Sequence, residues 1–131
     1  MNPNTSVGEH MSAAPVSVAP ATTLESALRT MNERGVRHLP VVDGGRIVGM
    51  LSEREAQLAL ALLAGGARAS VEVAMSKDPY VADKATPLAQ VARNMADQKL
   101  GSVAVVDQNA LVGVFTTVDA LRLLSQLIEN R

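Results

Sequence analysis

The sequence predicts a mixed α/β fold built from two copies of one small unit. Shifting the chain by 64 residues places residues 5–56 on residues 69–120 without a gap, and 16 of these 52 aligned positions are identical. The segments Leu39–Val42 and Val103–Val106 are almost continuously apolar, as expected for strands that helices cover on both faces. We therefore expect two small sheets with helices packed on them, related by a pseudo-twofold axis.

The first unit is predicted to run β-α-β-β-α. Val16–Val18 alternates like a short strand, and the following helix begins after Thr22 or Thr23, whose hydroxyl can cap it. Gly35 ends that helix, because glycine adopts the left-handed conformation found after helix C-termini. The remaining elements are a strand from His38 to Asp43, a tight turn at Gly44-Gly45, a strand from Arg46 to Leu51 and a helix over Glu53–Ala64 that Ser52 caps.

The second unit repeats this order. Thr86-Pro87 opens its first helix, with proline in the first turn. Gln108-Asn109 joins the two predicted strands Val103–Asp107 and Ala110–Phe115, and Thr116 or Thr117 caps the last helix. The predicted organisation is a flexible tail (1–4), a first repeat (5–64), a linker (65–69), and a second repeat with a C-terminal helix (70–131).

Composition excludes several classes of function. The chain has 131 residues, a formal net charge of −1, no cysteine and two histidines, so disulfide frameworks, thiolate zinc sites and three-histidine metal sites are excluded. Scattered basic residues and the presence of only one Tyr and one Phe argue against a nucleic-acid surface. The longest apolar run, Leu58–Ala64, is far shorter than the roughly 20 residues that span a bilayer. Residues 1–10 lack the features of a signal peptide, so we expect a cytoplasmic protein.

Each unit carries short motifs that recur in register. In the first unit they are Met11-Ser12 with Pro15, Gly35–Asp43 and Gly49–Glu55; in the second, Met75-Ser76 with Pro79, Val103–Asp107 and Gly113–Asp119. With these motifs each unit resembles a CBS domain, named for cystathionine β-synthase, and the pair resembles a Bateman module. The resemblance covers about residues 5–125. It implies two tandem CBS repeats in a disc-like homodimer.

The resemblance also implies that an adenosine-containing ligand binds in clefts between the two repeats. The family's ribose-binding signature is Gly, two apolar residues, Ser or Thr, two more residues, then Asp, and the second unit has it intact as Gly113, Thr116 and Asp119. A carboxylate at the start of a helix can accept hydrogen bonds from both ribose hydroxyls, and the helix N-terminus attracts phosphate. The alternative for Asp119 is a helix-start acid that interacts only with the helix dipole.

We expect one good nucleotide site, centred on Asp119. In the family, adenine lies between apolar strand residues, and basic residues at the positions of Arg37 and His38 meet phosphate, where a forked guanidinium suits the oxyanion. An exposed strand start is the alternative for Arg37-His38. The predicted site consists of Ser12, Val16, Val36, Arg37, His38, Val114, Thr116 and Asp119.

A second, weaker site is predicted around Glu55. Glutamate replaces the signature aspartate there, and its extra methylene lets it reach a ribose only if the backbone lies further back. Gly101-Ser102 stands where the first unit has Arg37-His38 and offers no cation, and the ring of Tyr80 either stacks on an adenine or fills the cleft. The residues of this site are Ser52, Glu55, Tyr80, Leu100 and Gly101.

The functional hypothesis is therefore a non-catalytic regulatory module. AMP is the favoured ligand because few basic residues are available, with ADP, ATP or S-adenosylmethionine as further candidates. The ligand would change which surface a separate partner protein meets. Leucines on the helix after each repeat point in several directions, which predicts a homodimer through these helices. The alternative is a ligand-free scaffold for dimerisation or docking, and no nucleophile–base pair or phosphate-cradling loop suggests an enzyme.

Overall fold

Seven strands and four α-helices follow one another in the computed structural model, which describes residues 1–131. In chain order they are β1 (Ser12–Ala13), α1 (Leu24–Arg34), β2 (His38–Asp43), β3 (Arg46–Ser52), α2 (Glu53–Leu62), β4 (Ser76–Lys77), β5 (Val81–Asp83), α3 (Leu88–Gln98), β6 (Ser102–Asp107), β7 (Ala110–Thr116) and α4 (Thr117–Glu129). Short 3₁₀ turns lie at Val7–Glu9, Gly66–Arg68 and Val71–Val73. None of the helices has the length and apolar character needed to cross a bilayer.

These elements form two units whose boundaries differ from those of the sequence repeats. One, which we call the central unit, is the continuous stretch of residues 16–79; the other, the terminal unit, combines residues 1–15 with residues 80–131. The opening segment of each repeat therefore belongs to the unit that contains the body of the other repeat. The duplication is clear in the sequence, but this exchange of segments follows only from the strand pairing.

The central unit contains a three-stranded antiparallel sheet in the order β2-β3-β4. The hairpin β2–β3 places His38 opposite Ser52, and β4 adds to β3 with Ser76 opposite Met50. The core of this unit is made of buried apolar side chains from both helices, the hairpin and the segment after α2: Leu24, Ala27, Met31, Leu39, Val41, Leu51, Ala56 and Val71.

The terminal unit contains a four-stranded sheet in the order β1-β7-β6-β5. β1 comes from the start of the chain and pairs antiparallel with β7, so that Ser12 lies opposite Val114. β5 runs parallel to β6. The core consists of Val7, Ala82, Leu88, Val91, Met95, Val103, Val105 and Phe115, and Val7 is brought to it by the 3₁₀ turn that precedes β1.

Most of the predicted boundaries are confirmed. Thr23 caps α1, with its hydroxyl accepting from the Ser26 amide at 3.1 Å, and Gly35 ends this helix at φ 64°. The Gln108-Asn109 turn has positive φ at both residues, 51° and 68°, as a tight two-residue hairpin turn requires. Two sheets covered by helices, one from each repeat body, confirm the predicted fold class.

Three details of the prediction are wrong. Pro87 is the N-cap of α3 rather than part of its first turn, and α2 ends at Leu62, two residues before the predicted end. The stretch Val16–Val18 does not form a strand, because only Val18 bridges to Val41.

The missing strand at Val16–Val18 has a simple cause in the parallel ladder. Val18 donates to the carbonyl of Pro40 at 3.0 Å and accepts from Val42 at 2.8 Å. The next bond toward Val16 would need an amide proton on residue 40, which proline lacks. In the terminal unit the equivalent residue is Ala104, whose amide donates to the Tyr80 carbonyl at 3.2 Å, and there the strand β5 forms.

Candidate functional site

The N-terminus of α4 carries a reciprocal cap formed by Thr116 and Asp119. The Thr116 hydroxyl accepts from the Asp119 amide at 3.2 Å, while Oδ2 of Asp119 accepts from the Thr116 amide at 2.9 Å and from its hydroxyl at 3.1 Å. Such a capping box satisfies backbone donors that a helix start would otherwise leave free. One oxygen of the Asp119 carboxylate is therefore used to hold the helix start.

The other oxygen of Asp119, Oδ1, is only lightly engaged. The Ser12 hydroxyl donates to it from 3.4 Å, at the long end of hydrogen-bond distances. Ser12 is brought there by the pairing of β1 with β7. A carboxylate oxygen can accept about two hydrogen bonds, so Oδ1 keeps capacity for a hydroxyl group of a ligand.

Gly113 allows the β1 segment to lie this close to β7. A Cβ built on Gly113 would contact the Met11 sulfur, and would lie 2.8 Å from Met11 Cγ and 2.9 Å from the carbonyl oxygen of Ser12. These are closer than side-chain contacts normally become. The glycine of the predicted signature thus serves the packing of the segment that delivers Ser12 to Asp119.

The central unit repeats the arrangement around Glu55, with one difference. Oε1 of Glu55 accepts from the Ser52 amide at 2.8 Å, and the Ser52 hydroxyl accepts from the Glu55 amide at 3.0 Å. The extra methylene carries Oε2 onto the Ser76 hydroxyl, which donates across 2.5 Å. Both carboxylate oxygens of Glu55 therefore have close protein partners, whereas Asp119 has close partners on only one.

Arg37 and His38 lie in the central unit, beside Glu55. The Arg37 carbonyl accepts from the Glu53 amide at 2.8 Å, and His38 stands opposite Ser52 in the hairpin. Burial lowers the pKa of His38 below its usual value of 6.5, and the nearby Glu55 carboxylate opposes this to a smaller extent. The family resemblance predicts both residues at the Asp119 site, and the hairpin register of the structure places His38 opposite Ser52, the residue that caps the helix of Glu55.

The other predicted residues divide between the units. Ser12, Val114, Thr116 and Asp119 come together in the terminal unit, and Val16 and Val36 belong to the central unit with Arg37 and His38. Of the weaker site, Ser52 contacts Glu55, whereas Tyr80, Leu100 and Gly101 belong to the terminal unit.

Tyr80 and Gly101 have structural partners of their own. The Tyr80 hydroxyl accepts from the Asn94 side-chain amide at 3.0 Å, and its ring packs against the core of the terminal unit, as does Leu100. The Gly101 carbonyl accepts from the amide of Thr117 at 3.0 Å and from its hydroxyl at 3.2 Å. These contacts tie the start of β6 to the start of α4.

Sequence reasoning missed one feature of the terminal unit. A shallow cavity of about 150 Å³ opens beside Asp119, and its other lining residues are His10, Arg122, Leu123 and Gln126. Only the spacing of Arg122 and Gln126 behind Asp119, at one and two helical turns, could have indicated it.

Comparison with known proteins identifies the duplicated unit. The family model for the CBS domain matches the chain twice, over residues 7–61 and 69–126. The chain is 28% identical over 114 residues to the CBS domain-containing protein YhcV of Bacillus subtilis (strain 168). This match covers 87% of this chain and 81% of YhcV.

Solved structures agree with this match, and the two described here contain ligands. The CBS domain pair of protein MJ0100, in complex with 5′-methylthioadenosine and S-adenosyl-L-methionine, superimposes with a TM-score of 0.85 at 27% identity, covering 95% of this chain and 98% of that one. CBSX2 in complex with AMP superimposes with a TM-score of 0.79 at 29% identity, covering 93% and 97%.

Proposed function

Since the chain belongs to the CBS domain family and carries two copies of the domain in tandem, we propose that it is a non-catalytic regulatory module that binds an adenosine-containing ligand at Asp119. The observation that carries this proposal is the half-free carboxylate. Oδ2 of Asp119 holds the helix start, and Oδ1 has only the 3.4 Å contact with Ser12. A ribose hydroxyl that donates to Oδ1 would replace a weak contact with a stronger one.

Each residue around Asp119 has a role in this proposal. Asp119 accepts from the ribose hydroxyls, Thr116 keeps the carboxylate oriented through its 3.1 Å bond, and Ser12 offers a further hydroxyl. Val114, on β7 opposite Ser12, would contact adenine through the small part of its side chain that is exposed, since it is 7% exposed. Roles for Val16, Val36, Arg37 and His38 at the same ligand remain a prediction of the sequence.

The central unit is proposed to bind an adenosine ligand more weakly. Its carboxylate already has a close partner on each oxygen, at 2.8 Å and 2.5 Å. A ligand hydroxyl would have to share Oε2 with the close Ser76 donor, whereas Oδ1 of Asp119 has only a long contact. Arg37, whose carbonyl bonds to the Glu53 amide, would be the cation available to a phosphate there, and the neutral ring of His38 would offer a hydrogen bond.

AMP is the proposed ligand, with ADP, ATP and S-adenosylmethionine as further candidates. The choice of an adenosine ligand is supported by the similar solved structures, which contain AMP, 5′-methylthioadenosine or S-adenosyl-L-methionine. All three molecules share the adenosine group. A ligand that binds two conformations with different affinity would shift the module between them, and a separate partner protein would respond to that shift.

The alternative function is a dimerisation or docking scaffold, and α4 favours it. No residue of this helix is buried, and Val118, Leu121, Leu124, Leu127 and Ile128 are all exposed apolar residues. Exposed apolar surface of this extent is typical of an interface. We propose that a second copy of the chain covers it, which is compatible with either function.

Thermal unfolding with and without ligand separates the two functions. A ligand at 100 times its Kd stabilises the folded state by about 2.7 kcal/mol, which corresponds to a rise in Tm of about 5–15 °C at this size. We expect such a rise for the wild type with AMP or another adenosyl ligand, its loss in Asp119→Ala, and at most a small reduction in Glu55→Ala, because the Glu55 site is proposed to bind more weakly. The Glu55 variant is the matched control, because it removes the equivalent cap.

Two outcomes would contradict the ligand-binding proposal. No rise in Tm with AMP, ADP, ATP or S-adenosylmethionine at millimolar concentration would favour the scaffold. A rise that persists unchanged in Asp119→Ala would place the ligand elsewhere.

A further inference from the structure

The cavity beside Asp119 is lined mainly by polar side chains. It has a volume of about 150 Å³, and Asp119 forms one wall, with His10, Arg122, Leu123 and Gln126 around the rest. At about 30 Å³ for each water molecule in the liquid, this volume corresponds to roughly five waters. A group bound there would lie next to the carboxylate proposed to hold the ribose.

The donors of Arg122 and Gln126 in this cavity are free to bind a ligand. Arg122 forms no ion pair, since the two ion pairs of the chain join Arg29 to Glu25 and Lys84 to Asp107. The side-chain amide of Gln126 makes no hydrogen bond within the protein either. The donor on His10 is used, because the Thr5 hydroxyl donates to Glu9 and therefore accepts from Nε2 of His10 at 2.9 Å.

Two acidic groups lie near the cavity, and neither forms an ion pair with Arg122. Asp119 is bonded through Oδ2 to the start of α4. Glu9, which precedes His10, accepts from the Ser6 amide at 2.7 Å and from the hydroxyls of Ser6 and Thr5, which lower its pKa. The guanidinium of Arg122 is therefore a positive charge that no carboxylate of the protein pairs with.

The duplication shows that this polar set belongs to one unit only. Shifting by 64 residues, the positions of His10, Arg122 and Gln126 correspond to Ala74, Leu58 and Leu62 in the central unit. At the start of β2 and β6 the basic residues lie in the other unit. The central unit has Arg37-His38 there, and the terminal unit has Gly101-Ser102, which carries no cation. Each unit thus has a cationic group near its capping carboxylate, but on different elements.

We propose that this cavity holds an oxyanion, a phosphate or carboxylate, of the ligand whose ribose binds Asp119. The inference rests on the proposed function and specifies its ligand class as an anionic adenosine derivative. The ribose carries its 5′ substituent on the ring that also bears the hydroxyls, so a short anionic group reaches the neighbouring cavity. There the forked guanidinium of Arg122 binds the oxyanion, and the side-chain amide of Gln126 donates to it.

The test replaces the cavity residues with those of the other repeat. The triple variant His10→Ala, Arg122→Leu, Gln126→Leu gives the terminal unit the side chains that the duplicated positions already have. Titration calorimetry would measure its Kd for AMP, S-adenosylmethionine and the anion-free 5′-methylthioadenosine. The variant Arg93→Leu is the control, because it removes an exposed arginine from α3 of the same unit.

We expect the triple variant to bind AMP about tenfold more weakly or worse, as the loss of a charged hydrogen bond implies, and to bind 5′-methylthioadenosine as the wild type does. A matching loss for S-adenosylmethionine would show that a carboxylate also uses the cavity, and an unchanged value would restrict it to phosphate. The proposal is overturned if AMP binding is unchanged, or if AMP and 5′-methylthioadenosine weaken equally. If neither binds the wild type, the proposed function itself fails.

Discussion

Ser76 and Glu55 are joined by a 2.5 Å hydrogen bond between the serine hydroxyl and Oε2 of the carboxylate. The equivalent pair in the other unit, Ser12 and Asp119, is separated by 3.4 Å. The two serines occupy the same position of the repeat, so the difference comes from the length of the acidic side chain. Glutamate reaches its serine while it caps the helix, and aspartate does not.

Ser76→Ala should therefore destabilise the protein more than Ser12→Ala. We expect a loss of about 1 kcal/mol in the free energy of unfolding for Ser76→Ala and less than about half of that for Ser12→Ala, because a short bond to a carboxylate is worth more than a long one. Urea unfolding followed by circular dichroism measures both. Equal losses would show that the two serines are equally bonded in solution.

Gly113→Ala should weaken ligand binding through the position of β1. The new methyl group would lie 2.9 Å from the Ser12 carbonyl oxygen, so the segment that carries Ser12 must move. We expect a destabilisation of about 1–3 kcal/mol together with loss of the AMP-dependent rise in Tm.

Gly49→Ala is the matched control for this experiment. Its methyl group would lie 3.0 Å from the Ser76 carbonyl oxygen in the central unit. This variant should be destabilised to a similar extent but should keep its response to AMP. If both variants lose the response, general destabilisation rather than the position of β1 is responsible.

His38 should make the protein less stable in mild acid. Its pKa in the folded state is lowered from 6.5, chiefly by burial, while Glu55 acts in the opposite direction. The unfolded chain therefore binds more protons just below pH 6.5, so the stability that neutral His38 provides is complete above that pH. It is lost as the pH falls through the pKa of the folded state.

Unfolding between about pH 7.5 and pH 5 tests this contribution. Over that range the wild type should lose more stability than His38→Gln, which cannot be protonated. Glu9 does not interfere, because its pKa is lowered from 4.5 and its contribution is lost only below that value. Identical slopes for the two proteins would contradict the burial of His38.

The exposed face of α4 should control self-association. Leu121 and Leu124 are 60% and 52% exposed, and we expect Leu121→Asp with Leu124→Asp to convert a homodimer into a monomer in sedimentation experiments. Val73, 62% exposed and outside the four α-helices, supplies the control Val73→Asp. If the wild-type protein sediments as a monomer at all concentrations, the proposed homodimer is contradicted.

The sequence predicts the fold well because its signals are local and occur twice. Caps such as Thr23 and Ser52 and the turn at Gln108-Asn109 act within a few residues, and the structure contains them as expected. The failed strand at Val16 depends on Pro40, a residue more than 20 positions away whose missing amide proton matters only once the strands are parallel.

The candidate site was harder to predict because it is assembled from distant segments. The family resemblance predicts Ser12 at the Asp119 site, and in the structure a long hydrogen bond joins the two side chains. It did not show that the longer side chain of Glu55 would engage Ser76, nor that His10 and Arg122 would line a common cavity. Those relationships depend on how far each side chain extends in the folded protein, and the spacing of residues along the sequence does not give that distance.

The exchange of opening segments between the repeats has a consequence for the order in which the chain folds during synthesis. All residues of the central unit are available once residue 79 has left the ribosome, whereas residues 1–15 must wait for β7 and α4, about 100 residues later. At about 5–20 residues per second, the nascent chain carries an unpaired β1 and an unburied Val7 for several seconds. Moving residues 1–15 to follow residue 131 should remove this delay while preserving both units.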